Sequence, residues 1–179
     1  AVTGNNEKTL KKFNIPYVCV HIHSPSHASY YPGATEMVVK LLFSPEDGQL
    51  LGAQIVGYKG VDKRIDVLAT AIRGKMTVYD LQELELAYAP PYSSAKDPVN
   101  MAGYVASNTL MGHHPIIQWY ELQGLDKEST LILDTRTREE YRMGAIPGSV
   151  NIPLDELRQN LDKIEDYKDK DVIVYCRSG

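Results

Sequence analysis

The chain has 179 residues, 43% of them apolar and 23% charged, and 19 Lys and Arg against 23 Asp and Glu leave a net charge of −4. That size suits one large domain or two small ones of ordinary globular composition, no apolar run approaches the roughly 18 residues of a membrane span, and the mild acidity argues against a general nucleic-acid binder. Two cysteines, Cys19 and Cys176, are too few for a disulfide framework, and with no basic-then-apolar leader the expected setting is cytoplasmic.

Residues 7–13 suit a short helix. Residues 15–23 alternate and are rich in β-branched and aromatic side chains, which predicts a strand. Residues 36–43 (EMVVKLLF) predict a second strand, Ser44-Pro45-Glu46-Asp47-Gly48 supplies turn chemistry, and 49–57 (QLLGAQIVG) predict the returning strand of a hairpin. Residues 62–73 place Ile65, Leu68, Ala69 and Ile72 on one helical stripe, with Gly74 where a C-terminal cap belongs. Thr77 and Asp80 mark the start of another helix. Asp97-Pro98 opens the next, since Asp can cap and Pro suits the first helical position. Val99, Ala102, Val105 and Ala106 give that helix its apolar face, and Gly112 ends it. The expected unit is α+β, an antiparallel sheet with helices.

A boundary falls between 1–112 and 113–179. The helical pattern stops at Gly112 with Pro115 close behind. The first segment holds ten basic and ten acidic residues, the second nine and thirteen, so the whole excess charge lies in the last third. There the order is a strand at 131–134, a helix at 137–143 stopped by Gly144, a strand at 149–152, a helix at 155–161, a solvated acidic tract at 162–171, and a buried strand at 171–175. Strand–helix alternation predicts an α/β unit with a parallel sheet. Ligands gather at the carboxyl ends of such strands, and Cys176 occupies one. With Arg177, Ser178 and Gly179 it suits a loop whose inward amides hold an anion, lower the thiol pKa and favour the reactive thiolate. Spacing alone leaves a merely packed cysteine equally open.

Residues 131–153 (LILDTRTREEYRMGAIPGSVNIP) and 172–179 (VIVYCRSG) resemble a single-domain rhodanese through its active cysteine, with Ala145 where many members carry His. The resemblance implies sulfane-sulfur transfer by way of a persulfide on Cys176, with Arg177, Ser178 and Gly179 in the substrate loop. Asp134, Arg136 and Glu139 are expected to cap the helix and pair charges, so that they position the loop. Residues 27–33 (HASYYPG), 60–67 (GVDKRIDV) and 87–106 (AYAPPYSSAKDPVNMAGYVA) resemble the C-terminal dimerisation domain of coenzyme A-disulfide reductases and their NADH oxidase and persulfide reductase relatives. Together the two segments resemble the C-terminal part of a reductase–rhodanese fusion. This implies a homodimer that uses FAD and NAD(P)H in the full-length protein, with coenzyme A as substrate or bound ligand. No GxGxxG fingerprint occurs in the sequence, so no flavin is expected on these residues alone. It also implies that Tyr30 and Tyr88 reach the coenzyme A sulfur from the partner subunit, with Tyr31 as the neighbour on the substrate side.

His21 and His23 would share one strand face, but no third ligand is placed, so they, His27 and the linker pair His113-His114 are read as structural or solvated and no metal is expected. Cys19, inside an alternating strand, is read as core. Three functions compete: a sulfur-handling reductase with a rhodanese domain, a non-catalytic dimerisation and docking module, and a Cys-dependent phosphatase.

Overall fold

The computed structural model describes residues 1–126 and 128–177. The chain divides into two compact units, Ala1–Ile116 and Ile117–Gly179.

The first unit is built on a four-stranded antiparallel sheet in the order β1-β4-β3-β2, with β1 at Val2–Gly4, β2 at Val18–Pro25, β3 at Glu36–Phe43 and β4 at Leu50–Gly57. The expected hairpin forms, in register from Met37↔Gly57 to Phe43↔Leu50, with an irregularity at Leu42/Phe43. β1 was not foreseen. It has three residues, too few for a pattern, and is held by its ladder to β4 and by the N-terminal ammonium, which donates to the Ile55 carbonyl at 2.8 Å. β2 starts at Val18 rather than residue 15 because Asn14, at φ 53°, turns the chain out of α1 (Glu7–Lys12).

Period-two alternation sends Met37, Val39 and Leu41 of β3 into one core with Ile55 of β4. That face is covered by α2 (Val61–Arg73) and α4 (Pro98–Leu110), through Leu68, Ala102 and Ala106. On the opposite face Leu10 of α1 packs on Cys19 and Leu42. Burial pushes the Cys19 thiol up to about 11, so it stays protonated at neutral pH, as a core residue would.

Two helix starts follow the sequence. Thr77 with Asp80 forms a capping box for α3 (Val78–Glu83), and Asp97 with Asn100 forms one for α4. The buried face of α2 differs from the expected stripe: Arg64, Ile65, Leu68 and Ala71 are buried, and Ala69 is only half-buried. Arg64 has a buried partner across the unit, which turns the helix toward it. Gly74 keeps a right-handed φ of −76°, and Lys75, at φ 57°, makes the reversal instead.

Where α4 crosses α3, a Cβ on Gly103 would lie 2.9 Å from both the Leu81 Cβ and the Val78 carbonyl oxygen. Gly103→Ala is therefore expected to destabilise this unit by about 1–2 kcal/mol. Overpacking costs about 1–3 kcal/mol, and the helix propensity gained from Ala offsets at most about 1. Urea denaturation followed by far-UV circular dichroism checks this.

The second unit has a three-stranded parallel sheet in the order β6-β5-β7, with β5 at Thr130–Asp134, β6 at Val150–Asn151 and β7 at Asp171–Tyr175. Thr137 and Glu140 form the capping box of α5 (Arg138–Met143), and Gly144 ends it. The helix expected over 155–161 is only the single turn α6 (Leu154–Leu157), and the acidic stretch forms a 3₁₀ helix at Leu161–Tyr167. Ile152, Leu157, Ile164 and Tyr167 pack with Leu131 and Leu133 of the central strand. The burial expected of β7 is not seen among the described residues: β7 pairs there with β5 alone, and Val172 and Val174, the register partners of Leu131 and Leu133, are 42% and 54% exposed. No helix among the described residues is long and apolar enough to cross a membrane.

Candidate functional site

In the first unit, Tyr30 and Tyr31 lie between β2 and β3, and Tyr88 lies between α3 and α4. Backbone bonds shape these loops and tie them together: Ser26 N–H to Thr35 O at 2.8 Å, Tyr31 N–H to Ala28 O at 3.0 Å, and Ala28 N–H to Ser93 O at 3.0 Å. Beneath them sits Arg64, 1% exposed. Its Nε donates to both Asp97 carboxylate oxygens at 3.3 and 3.2 Å, and its Nη2 donates to Asp97 Oδ2 at 2.9 Å and to the Tyr92 carbonyl at 3.3 Å. Ser93 Oγ donates to the same carboxylate at 2.6 Å, and Lys63 donates to the Ala87 carbonyl, next to Tyr88, at 3.2 Å. Burial pushes the Asp97 carboxyl up, but the bonds from Arg64, Ser93 and the Val99 amide outweigh it and hold the group below its ordinary value.

On this base the Tyr30 and Tyr88 hydroxyls stand 2.9 Å apart and share a hydrogen bond across 58 residues of sequence. The rings are 75% and 49% exposed, so both phenols face outward. The bond to Tyr30 raises the Tyr88 phenol above its ordinary value. Tyr31 points elsewhere, packing edge-to-face on buried His27 at 5.8 Å.

In the second unit, Cys176 follows β7 at the carboxyl end of the sheet and is exposed, as is Arg177. Ser178 and Gly179, and with them the amide cradle expected around the sulfur, lie outside the described residues. The support beneath Cys176 is well defined. Asp134 is fully buried and accepts from the Arg136 amide at 2.8 Å, from its Nε at 3.1 Å and from its Nη2 at 2.7 Å. Burial raises this carboxyl, but the bonds from Arg136 and Tyr175 bring it below its ordinary value. Arg136 also donates to the Gly144 carbonyl at 2.7 Å and lies 5.4 Å over the Tyr175 ring. Asn151 donates to the carbonyls of Asp134 and Arg136 at 3.0 and 2.9 Å. Asp134 and Arg136 thus pair charges next to the loop, while Thr137 and Glu140 take the capping role expected of Asp134 and Glu139.

Sequence reasoning missed Arg64 and Tyr175. An arginine in an amphipathic helix carries no mark of burial. An aromatic before a cysteine carries no mark of the partners its hydroxyl finds. His21 and His23 are exposed on β2, and the described residues hold no group of three or more His, Cys, Asp or Glu able to share a cation. Partial burial and nearby Lys40 lower the His21 pKa.

An antiparallel unit presenting a phenol pair and a parallel unit ending a strand on a cysteine match known domains in that order. Residues 1–98 match the pyridine nucleotide-disulphide oxidoreductase dimerisation domain and residues 119–179 the rhodanese-like domain. The chain belongs to the pyridine nucleotide-disulphide oxidoreductase dimerisation-domain family and carries a rhodanese-like domain after it. It is 50% identical over 106 residues to a coenzyme A disulfide reductase of Staphylococcus haemolyticus, covering 59% of this chain and 24% of that protein. It is similar in structure to the reduced CoADR-RHD of Bacillus anthracis, with a TM-score of 0.93 and 51% identity over 98% of this chain. A NAD-dependent persulfide reductase from A. fulgidus gives a TM-score of 0.85 and 41% identity over the same share. The chain spans 24% of the curated relative and 31% of each solved chain.

Proposed function

We propose that the full-length protein is a homodimeric FAD- and NAD(P)H-dependent reductase of a coenzyme A disulfide, persulfide or polysulfide, and that its rhodanese-like unit carries sulfane sulfur on Cys176. The names of the similar proteins support the reaction class. The observation that carries the reading for this chain's own residues is the Tyr30–Tyr88 pair, two exposed phenols held 2.9 Å apart by a buried ionic base. Reducing a disulfide delivers an electron pair to sulfur, breaks the S–S bond and expels a thiolate that must take a proton. A phenol, with its ordinary pKa of about 10, stays protonated at neutral pH and donates a hydrogen bond to that sulfur as charge develops. Tyr30 and Tyr88 are assigned this role toward ligand bound at the partner subunit, and Tyr31 the neighbouring contact. Arg177, Ser178 and Gly179 are assigned to the substrate loop of Cys176.

In the full-length protein, FAD and NAD(P)H would supply the reducing electron pair. The described residues do not build the FAD site. The first unit's sheet is antiparallel, and Asp134-Thr135-Arg136 follows β5 where a dinucleotide site has a glycine-rich turn. Both cofactors are therefore assigned to other parts of the full-length protein, and the 1–179 chain alone is expected to bind no flavin.

The test is Tyr30→Phe, Tyr88→Phe and the double variant in the full-length protein, assayed with coenzyme A disulfide and NADH or NADPH. Each single variant is expected to lower kcat by about tenfold or more, the loss of a hydrogen bond to a charged acceptor. The double variant is expected to fall short of the product of the two, because the phenols act as a unit. Gel filtration should show a dimer throughout. Wild-type rates in all three variants would remove the pair from catalysis and leave a docking module.

A further inference from the structure

We infer that Tyr175 is a positioning residue for Cys176: its hydroxyl, held by Ile146 and Ser149, fixes the end of β7 so that the thiol keeps one orientation. This rests on the sulfur-transfer reading of Cys176.

Tyr175 is anchored at both ends. Its carbonyl, the last group before Cys176, accepts from the Thr135 amide at 3.0 Å and from Thr135 Oγ1 at 3.2 Å. Its phenol oxygen accepts from the Ile146 amide at 3.1 Å and lies 3.2 Å from Ser149 Oγ. The Arg136 guanidinium covers the ring, and Asp134 locks that guanidinium in place. The phenol therefore reaches from β7, past β5, to the segment between α5 and β6.

Among the described residues, Tyr175 is tied to its neighbours through both its carbonyl and its phenol. Hydrogen bonds of this kind set the direction in which a strand end leaves the sheet. Two of these fix the Tyr175 carbonyl, and the phenol prevents the residue from rotating away from them. Without the hydroxyl, the peptide joining Tyr175 to Cys176 is free to tilt, and the sulfur with it. Misplacing a reacting atom by an ångström costs up to about a hundredfold in rate.

Tyr175→Phe tests this, because it keeps the ring under Arg136 and deletes only the hydroxyl. In the full-length protein, the Thr135 amide is expected to exchange with solvent about tenfold faster, the equivalent of one lost hydrogen bond. The Ile152 amide, which bonds to Asp134 O at 3.0 Å, should keep its rate. The kcat of thiosulfate:cyanide sulfur transfer should fall about tenfold with KM unchanged. A merely structural role would lower the melting temperature and leave kcat per folded site and Thr135 exchange unchanged, which would overturn the inference. If Tyr175→Phe does not fold, Ser149→Ala removes one phenol contact and keeps Ile146. It should then speed Thr135 exchange and lower kcat by about two- to threefold, and unchanged values would again overturn the inference. A wild-type protein that transfers no sulfur fails the functional reading instead, and Thr135 exchange still judges the anchor.

Discussion

Cys176→Ala is expected to abolish thiosulfate:cyanide sulfur transfer by the full-length protein, a loss of about a thousandfold or more, while leaving thermal stability unchanged. The expected effect is large because, in the proposed reaction, Cys176 carries the sulfur in both half-reactions. In that proposed reaction the thiolate attacks the outer sulfur of thiosulfate, that S–S bond breaks, and sulfite leaves with the electron pair. Cyanide then takes the terminal sulfur of the persulfide as thiocyanate and returns the thiolate. Removing the atom that forms both bonds would remove this pathway. Stability should hold because Cys176 follows β7 and is not among the residues that form the apolar core of its unit. The buried Cys19, with its thiol pushed up to about 11, cannot substitute. Alkylation by iodoacetamide against pH gives a second readout. A thiol activated by its loop should react with a midpoint below the ordinary value of about 8.5. A midpoint at that value, with no transfer of sulfur, would refute the carrier role. Hydrolysis of p-nitrophenyl phosphate that depends on Cys176 would replace sulfur transfer with phosphatase chemistry.

Legibility in the sequence followed locality. The β3–β4 hairpin was readable because alternation and a Pro-Glu-Asp-Gly turn lie within one short stretch, and the starts of α3 and α4 because Thr77 with Asp80 and Asp97 with Pro98 are local signals. The parallel sheet followed from strand–helix order. What escaped depends on distance. Arg64 and Asp97 are 33 residues apart, and nothing in the α2 pattern says that its arginine turns inward. The Tyr30–Tyr88 pair was legible only through the family resemblance. Two tyrosines 58 residues apart have no local signature, and their meeting depends on the Ala28–Ser93 bond and on Arg64 below it. Both candidate sites therefore rest on a carboxylate–arginine pair, buried on both sides in Asp97 with Arg64 and on the carboxylate side in Asp134 with Arg136. A buried pair of this kind contributes little net stability but penalises every arrangement that separates its members. That suits loops with a fixed geometry to maintain.

Asp97→Ala tests that claim in the first unit, with an expected loss of about 3–5 kcal/mol. Removing one member of a buried pair strands the other, and Arg64, at 1% exposure, has no water to turn to. The α4 cap, formed by Asp97 Oδ1 on the Val99 amide at 3.0 Å, goes as well; a cap alone is worth about 1 kcal/mol, so most of the loss belongs to the stranded guanidinium. Asp97→Asn separates the two, because it keeps a capping oxygen and loses the charge. Its cost should lie nearer to that of Ala than to zero. Against a total stability of about 5–15 kcal/mol, either change leaves the unit marginal. The pH dependence has a definite sign. The folded carboxyl is held below its ordinary value, so its contribution is complete above about pH 4 and disappears as the pH falls through the folded pKa. Asp97→Ala should remove that acid-sensitive portion of the stability profile and flatten it there. Unfolding is best followed by far-UV circular dichroism, because the single tryptophan, Trp119, belongs to the other unit. A loss below about 1 kcal/mol would mean that Arg64 finds water or another acceptor, and the tyrosine loops would then stand on backbone bonds alone.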